Sequence, residues 1–188
     1  MILYNGCLFI HIPKTGGTSL RTAMIQTRKA CRLTRIKSLE VGVKDPPNVF
    51  NPHAFLREAL PVLGFHLYHE VWKFTIVRNP WDRFVSLYYF KECRDPFPDF
   101  LDLMITKGYT QSKYLKDPFD YVGTLETIDK DWRMIAGRLG MGVKEFPHRN
   151  QSERKDRHYS EMYSTSMVNK VHAAEKYLLA RIPYRFGQ

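Results

Sequence analysis

The 188-residue chain is 44% hydrophobic and carries 29 Lys and Arg residues against 19 Asp and Glu residues, so its formal net charge is +10. This length can bury one sizeable core but is too short for two ordinary domains, and we therefore predict a single domain over residues 1–188. The 3 cysteines form no CxxC pair and the 7 histidines show no metal-ligand spacing, which argues against a disulfide framework and a zinc site.

The first predicted element is a short apolar strand over residues 7–12, which ends at Pro13. Gly16 and Gly17 then predict a turn, and a helical pattern begins at Thr18. The order is thus strand, glycine loop, helix. The apolar run is too short for a signal peptide or a membrane span, so we expect a cytoplasmic protein that does not bind a membrane.

The rest of the chain continues the alternation of strands and helices. Residues 28–52 are basic and contain prolines, which is typical of an exposed excursion. The further predicted elements are a helix over 53–60 that stops at Pro61, a strand over 72–77, helices over 97–106, 129–139 and 167–180, and a strand over 121–125. This order predicts a three-layer α/β fold with a central, mainly parallel sheet flanked by helices.

One further helix carries a clear start signal directly after the strand over 72–77. Asn79 can cap it, and Pro80 suits its first turn because proline has no N–H to lose there. Its apolar positions follow i, i+3, i+4 and i+7 and form a core stripe: Trp81, Phe84, Val85 and Tyr88.

The most informative stretch is FIHIPKTGGTSL, residues 9–20. A glycine loop between a strand end and a helix start presents backbone N–H groups and the positive end of the helix dipole, which suits a phosphate. Thr18 and Ser19 add hydroxyl donors, and Lys14 adds a mobile charge. A bare glycine pair would equally fit a tight turn with an exposed lysine. The loop of nucleoside triphosphatases reads GxxxxGK[ST], whereas Lys14 precedes both glycines.

The full string resembles the 5′-phosphosulfate loop of sulfotransferases that use the donor PAPS (3′-phosphoadenosine 5′-phosphosulfate). The likeness is strongest to the carbohydrate-type branch, which includes heparan sulfate 2-O-sulfotransferases and small bacterial sulfotransferases. The resemblance implies that Lys14 contacts the oxygen bridging phosphate and sulfate. It also implies that the loop holds the 5′-phosphosulfate with six residues: Lys14, Thr15, Gly16, Gly17, Thr18 and Ser19.

A second string, FTIVRNPWDRFVSLYY at residues 74–89, is similar to the 3′-phosphate motif of the same family, with Arg78 and Ser86 at the family's spacing of eight residues. Arg78 follows a predicted buried strand, where α/β sheets bind ligands, and its fork can grip a phosphate in bidentate fashion. Ser86 lies off the core stripe of its helix. Taken singly, an ion pair for Arg78 and a bond from Ser86 to its own helix are the ordinary alternatives.

Between the two strings the family usually supplies a histidine that acts as the catalytic base. His53 opens a predicted helix as in the small bacterial members, whereas His66 resembles the family's other Gly-His strings only loosely. A near-neutral pKa suits imidazole to this role, and we prefer His53. Each histidine alone is as well explained as a surface or core residue. If neither acts, the base is Glu58 or Glu70, or no base is needed.

The resemblance weakens toward the end of the chain. Residues 146–152 read FPHRNQS and are similar to a PHxNxS string of the family. Arg154 and Lys155 follow in a basic loop that could close over the nucleotide, although a solvated charge run explains them equally well.

We therefore predict a P-loop-like sulfotransferase domain that moves a sulfuryl group from PAPS to a hydroxyl and releases PAP (3′-phosphoadenosine 5′-phosphate), and the acceptor that we expect is a carbohydrate. The predicted reaction is in-line, uses a general base and needs no metal, and we expect no nucleic acid partner. One alternative is a small-molecule kinase or nucleoside triphosphatase, which lacks its lysine after the glycines here. The other is a non-catalytic module that binds polyanions through the charge of +10.

Overall fold

A small sheet lies at the centre of the computed structural model, which describes residues 1–26, 53–142, 145–146 and 158–188. The sheet of the described residues has the order β1-β2-β3-β4. Strands β2, β3 and β4 run parallel, and β1 pairs antiparallel with β2. The strands are β1 (Ile2–Tyr4), β2 (Cys7–Ile10), β3 (Trp72–Val77) and β4 (Tyr121–Thr124).

The hairpin of β1 and β2 turns through two residues with positive φ, Asn5 at 45° and Gly6 at 71°. Asn-Gly favours this tight connection because both residues adopt left-handed conformations at low cost. Strand β1 was not predicted, although this dipeptide is a sequence signal for a hairpin. The predicted strand over 7–12 ends earlier, at Ile10, which pairs with Thr75 as the last residue of the β2–β3 ladder.

Helices cover the sheet on both faces, so the described fold is mixed α/β. The helices are α1 (Gly17–Gln26), α2 (Leu60–Leu63), α3 (Phe65–Glu70), α4 (Pro80–Phe90), α5 (Phe97–Thr106), α6 (Ile128–Arg138), α7 (Thr165–Ala174) and α8 (Lys176–Arg181). No helix in the described ranges has the length and apolar character needed to cross a membrane.

The two faces of the sheet bury different sides of the same strands because side chains alternate along a strand. Phe9 and Phe74 pack with residues of α1 and α6, such as Trp132. Leu8 and Ile10 point to the opposite face, which is covered by a cluster that includes Leu56, Tyr68, Tyr114 and Leu178. Core side chains therefore pack against both faces of the parallel strands.

Helix α4 begins as predicted. The Asn79 side chain accepts hydrogen bonds from the N–H groups of Trp81 (3.1 Å) and Asp82 (3.3 Å), and Pro80 is the first helical residue. The predicted core stripe packs against α5 and α7, with three members buried and Tyr88 partly buried. The predicted bounds of β3 and α5 are also confirmed.

Two predicted helices are wrong in detail. In place of the helix predicted over 53–60 there is a 3₁₀ turn, Leu56–Ala59. Pro61 does not end the helical structure, because it lies in the first turn of α2, where proline is tolerated. The helix over 167–180 is broken at Glu175. The Glu175 carboxylate is buried and accepts the N–H groups of Gln111 (2.8 Å) and Ser112 (2.7 Å), so this residue leaves the helical path.

Candidate active site

The two predicted phosphate motifs meet at one edge of the sheet. The glycine loop follows β2 and Arg78 follows β3, and these strands are parallel neighbours. Parallel strands bring their carboxyl ends to the same edge, which is where open α/β sheets bind ligands. A hydrogen bond from the Thr75 hydroxyl to the Ile10 carbonyl (2.8 Å) fastens the two strand ends together.

The loop between β2 and α1 turns tightly. Lys14 has a φ of 67° and Gly16 a φ of 80°. The left-handed region is unfavourable for a residue with a side chain, and such outliers concentrate at functional sites. Thr15 between them is completely buried, and its hydroxyl donates to the Ile12 carbonyl (2.9 Å). Thr15 thus anchors the loop, while Lys14 is only partly buried.

Both glycines of the loop are required, for different reasons. Gly16 has a positive φ, which is strained for a residue with a side chain, and a Cβ there would lie 2.7 Å from the Leu125 side chain. Gly17 has no positive φ, but a Cβ there would overlap the ring of His11. The His11 imidazole therefore rests directly on the first residue of α1. Of the next two residues, Thr18 is exposed and Ser19 is buried.

Arg78 links the loop to α4. Its Nε donates to Asp82 (2.6 Å), and its Nη2 pairs with the same carboxylate oxygen (2.5 Å). Its Nη1 donates to the backbone carbonyl of Lys14 (3.3 Å). The side chains of Arg78 and Asp82 are each 16% exposed, so the guanidinium lies at the edge of solvent. Ser86, one helical turn beyond Asp82, is buried.

A second arginine, which lies in α4 and was not predicted as a site residue, also holds the loop. Arg83 is wholly buried; its Nε donates to the Pro13 carbonyl and its Nη1 to the Tyr109 carbonyl, both at 2.8 Å. Its Nη2 has no hydrogen-bond partner among the described residues. Burial lowers the pKa of Arg83, and the buried Glu175 carboxylate opposes that effect. In the sequence Arg83 stands beside the apolar stripe of α4, and nothing in that pattern indicated its contact with the loop.

The ammonium of Lys14 lies over an aromatic ring. Its Nζ is 4.0 Å from the ring centroid of Phe90, which is 68% exposed at the end of α4. Such a cation–π contact attracts the ammonium while leaving it near solvent.

His53 lies beside the loop. Its Nδ1 is 3.0 Å from the carbonyl oxygen of His11, and the two imidazole centroids are 4.7 Å apart. Because a carbonyl only accepts, Nδ1 carries the hydrogen, and the lone pair of the neutral ring is on Nε2. The Tyr114 hydroxyl donates to the His53 carbonyl (3.1 Å). Burial, followed by the charge of His53, lowers the pKa of His11 to about 3.

His66 is not part of this cluster. It is exposed on α3, and its ring lies edge-on to Phe65. Helix α3 leads directly into the amino end of β3, whereas the loop and Arg78 lie at the carboxyl ends. Of the two acidic alternatives, Glu58 accepts the N–H of Phe55 (2.9 Å) and Glu70 is exposed at the end of α3.

Two predicted site residues, Arg154 and Lys155, lie outside the described residues. Within the ranges that are described, no three His, Cys, Asp or Glu side chains are grouped so that they could hold a metal ion. The prediction that no metal is needed stays a prediction.

Comparison with known proteins identifies the family. A model of the sulfotransferase family matches residues 4–118, a range that contains both phosphate motifs and both candidate histidines. No curated protein and no solved structure matches the chain. The match covers more than half of the 188 residues, so the chain belongs to the sulfotransferase family.

Proposed function

We propose that this protein is a PAPS-dependent sulfotransferase that transfers a sulfuryl group to a hydroxyl and releases PAP. The observation that carries the proposal is the junction of the two motifs, where Arg78 donates to the Lys14 carbonyl at the carboxyl ends of β2 and β3. Family membership supports sulfuryl transfer, and the resemblance of the two strings supports the donor. The order of β2, glycine loop and α1 supports a P-loop-like architecture for a single domain over residues 1–188.

The loop conformation suits an anionic group. The carbonyls of Pro13 and Lys14 accept from Arg83 and Arg78, so they point toward these two guanidinium groups. In a trans peptide the following N–H points the opposite way, so the N–H groups of Lys14 and Thr15 point away from these two guanidinium groups. With the N–H groups at the start of α1, they are the backbone donors proposed for the 5′-phosphosulfate. The proposed loop contacts are those of residues 14–19.

The 3′-phosphate is assigned to Arg78 and Ser86. Arg78 offers a partly exposed guanidinium at the sheet edge, and a fork of this kind binds phosphate through charge-assisted hydrogen bonds. Ser86 supplies a hydroxyl one turn beyond Asp82 on α4. Arg154 and Lys155 are proposed to close over the nucleotide.

In the proposed reaction the Nε2 of His53 accepts the proton of the acceptor hydroxyl. The hydroxyl oxygen attacks sulfur in line, and the bond between sulfur and the bridging oxygen breaks. Lys14 neutralises the charge that develops on the leaving phosphate. Such a cation accelerates the reaction because it stabilises the transition state, where the charge appears, more than the ground state. His53 is preferred to His66 because its Nδ1–H is held by the His11 carbonyl beside the loop. A sulfuryl group carries less charge than a phosphoryl group, so the proposal includes no metal.

A carbohydrate hydroxyl is the proposed acceptor, on the strength of the carbohydrate-type resemblance. The test is transfer of labelled sulfate from PAPS to a panel of glycans, phenols and peptides. We expect label on a glycan, whereas label only on a phenol or a tyrosine peptide would overturn the acceptor assignment. Failure to label any acceptor would overturn the proposed activity.

The same assay tests the role of Lys14. Lys14→Ala should lower kcat by about 10²–10³ while PAP affinity changes little, because the contact strengthens as the bridging bond breaks. Lys91→Ala removes an exposed lysine next to Phe90 and serves as the matched control. A Lys14 variant that binds donor poorly but turns over normally at saturation would assign Lys14 to ground-state binding instead.

A further inference from the structure

The side chain of Gln111 forms two hydrogen bonds with the backbone of Arg78. The Arg78 N–H donates to its Oε1 (2.9 Å), and its Nε2 donates to the Arg78 carbonyl (2.7 Å). Arg78 lies one residue beyond the end of β3. The amide of Gln111 therefore satisfies both backbone groups of a residue that has left the ladder, as a neighbouring strand would. The side chain of Gln111 therefore holds the backbone from which the guanidinium extends.

Gln111 is itself held firmly. It is completely buried, and its own N–H donates to one oxygen of Glu175 (2.8 Å), while the N–H of Ser112 donates to the other oxygen (2.7 Å). Glu175 is also completely buried. Burial raises the pKa of Glu175, and the charge of Arg83 opposes that effect most. The junction of α7 and α8 thus fixes the position of the amide that contacts Arg78.

The same segment also contacts the glycine loop. The Tyr109 carbonyl accepts from Arg83, whose Nε donates to the Pro13 carbonyl. Residues 109–112 belong to neither phosphate motif, yet they contact Arg78 directly and reach the glycine loop through Arg83. A backbone shift at Arg78 would move its guanidinium, which is mostly buried and confined between Asp82 and the Lys14 carbonyl. Small displacements of a group that must meet a ligand in one geometry are costly.

We propose that Gln111 is a positioning residue that sets the guanidinium of Arg78 for the 3′-phosphate of the donor. This inference rests on the proposed function, because it assumes the 3′-phosphate assignment. It predicts that loss of the amide weakens recognition of the 3′-phosphate specifically. It also predicts that loss of the amide acts through Arg78. The effects of substituting Gln111 and Arg78 on the affinity for the 3′-phosphate should therefore not add.

The test compares PAP with AMP, which lacks the 3′-phosphate, in calorimetric titrations of one sample of each variant. The ratio of the two affinities is independent of the folded fraction, so a destabilised variant still gives an answer. Gln111→Met should lower the preference for PAP about tenfold, within the range of couplings between residues in contact. Gln111→Glu, which places an oxygen against the Arg78 carbonyl, should also lower the preference for PAP.

The matched control is Tyr121→Phe in β4, which removes a partly buried hydroxyl that donates to Asp131 (2.7 Å) and lies outside the contacts of Gln111 and Glu175. It should lower the Tm and leave the affinity ratio unchanged. In an Arg78→Ala background, Gln111→Met should cause no further fall in the ratio. A wild-type protein without preference for PAP would refute the 3′-phosphate assignment itself. A wild-type preference that survives in both Gln111 variants would overturn only the positioning role.

Discussion

The Nη1 of Arg78 donates to the backbone carbonyl of Lys14 at 3.3 Å, so the residue assigned to the 3′-phosphate also supports the loop assigned to the 5′-phosphosulfate. The same guanidinium pairs with Asp82 through Nε and Nη2. Removing Arg78 would therefore delete the proposed phosphate ligand and one support of the loop. The first effect is charge-assisted and the second is a long hydrogen bond to a neutral group, so the first should dominate.

Arg78→Ala should weaken PAP binding by about 10- to 150-fold, which corresponds to about 1.5–3 kcal/mol for a hydrogen bond to a charged group. AMP binding should fall much less, and Ser86→Ala should have the smaller effect of the two substitutions. Arg133→Ala, which removes an exposed arginine of α6, controls for the change in net charge. Equal losses for PAP and AMP in calorimetry would contradict the assignment of Arg78.

Gly17→Ala should destabilise the protein, although Gly17 has an ordinary φ, because its Cβ would overlap the ring of His11. Overpacking of this kind costs about 1–3 kcal/mol of unfolding free energy. The control is Gly137→Ala in α6, where the added Cβ has no described atom within 4 Å apart from its chain neighbours and its own helix backbone. Alanine should stabilise that helix by about 0.5–1 kcal/mol. Urea unfolding measures both, and equal effects at the two positions would contradict the packing of His11 on the loop.

The stability of the protein should fall as pH decreases below about 6.5, in part through His11. Its pKa is about 3 in the folded protein, mainly because of burial, against an ordinary value of 6.5. Between these values the unfolded chain binds more protons than the folded protein, so acid favours unfolding. His11→Asn should flatten the slope of unfolding free energy between pH 6.5 and about 5, above the range where most carboxylates titrate. Parallel slopes for variant and wild type would contradict this.

Local signals predicted much of the fold. The bounds of β3 and α5 and the Asn79 cap follow from apolar runs and residue types that lie within a few positions of one another. The break at Glu175 had no local signal. Its carboxylate binds the backbone of residues 111–112, more than 60 positions away, and only the folded chain brings them together.

The candidate site likewise contains residues that local signals predicted and residues that they did not. Lys14 and Arg78 were predicted because each belongs to a contiguous string with a specific spacing. Arg83 and Gln111 were missed because their roles depend on contacts with Pro13 and Arg78, which lie 70 and 33 positions away. Residues that bind a ligand can sit in a motif, whereas residues that support them are defined by packing.

His53→Ala should lower kcat by about 10²–10⁴, the usual cost of losing a general base, and leave PAP affinity unchanged. His66→Ala, an exposed histidine of α3, is the matched control and should keep near-normal activity. Loss of activity only in the His66 variant would reverse the assignment. If both variants stay active, the base is Glu58 or Glu70, or no base is needed.

The most direct test of the donor assignment is a thermal-shift comparison of PAP, ATP with Mg²⁺, and heparin. A ligand that binds only the folded protein stabilises it by RT ln(1 + [L]/Kd), about 2.7 kcal/mol at 100 times its Kd. We predict a saturable rise in Tm with PAP at concentrations where ATP has little effect, because Arg78 is assigned to the 3′-phosphate that ATP lacks. A larger shift with ATP would indicate a nucleoside triphosphate enzyme, and a shift with heparin alone would indicate a polyanion-binding module. Either result would contradict a PAPS-dependent sulfotransferase.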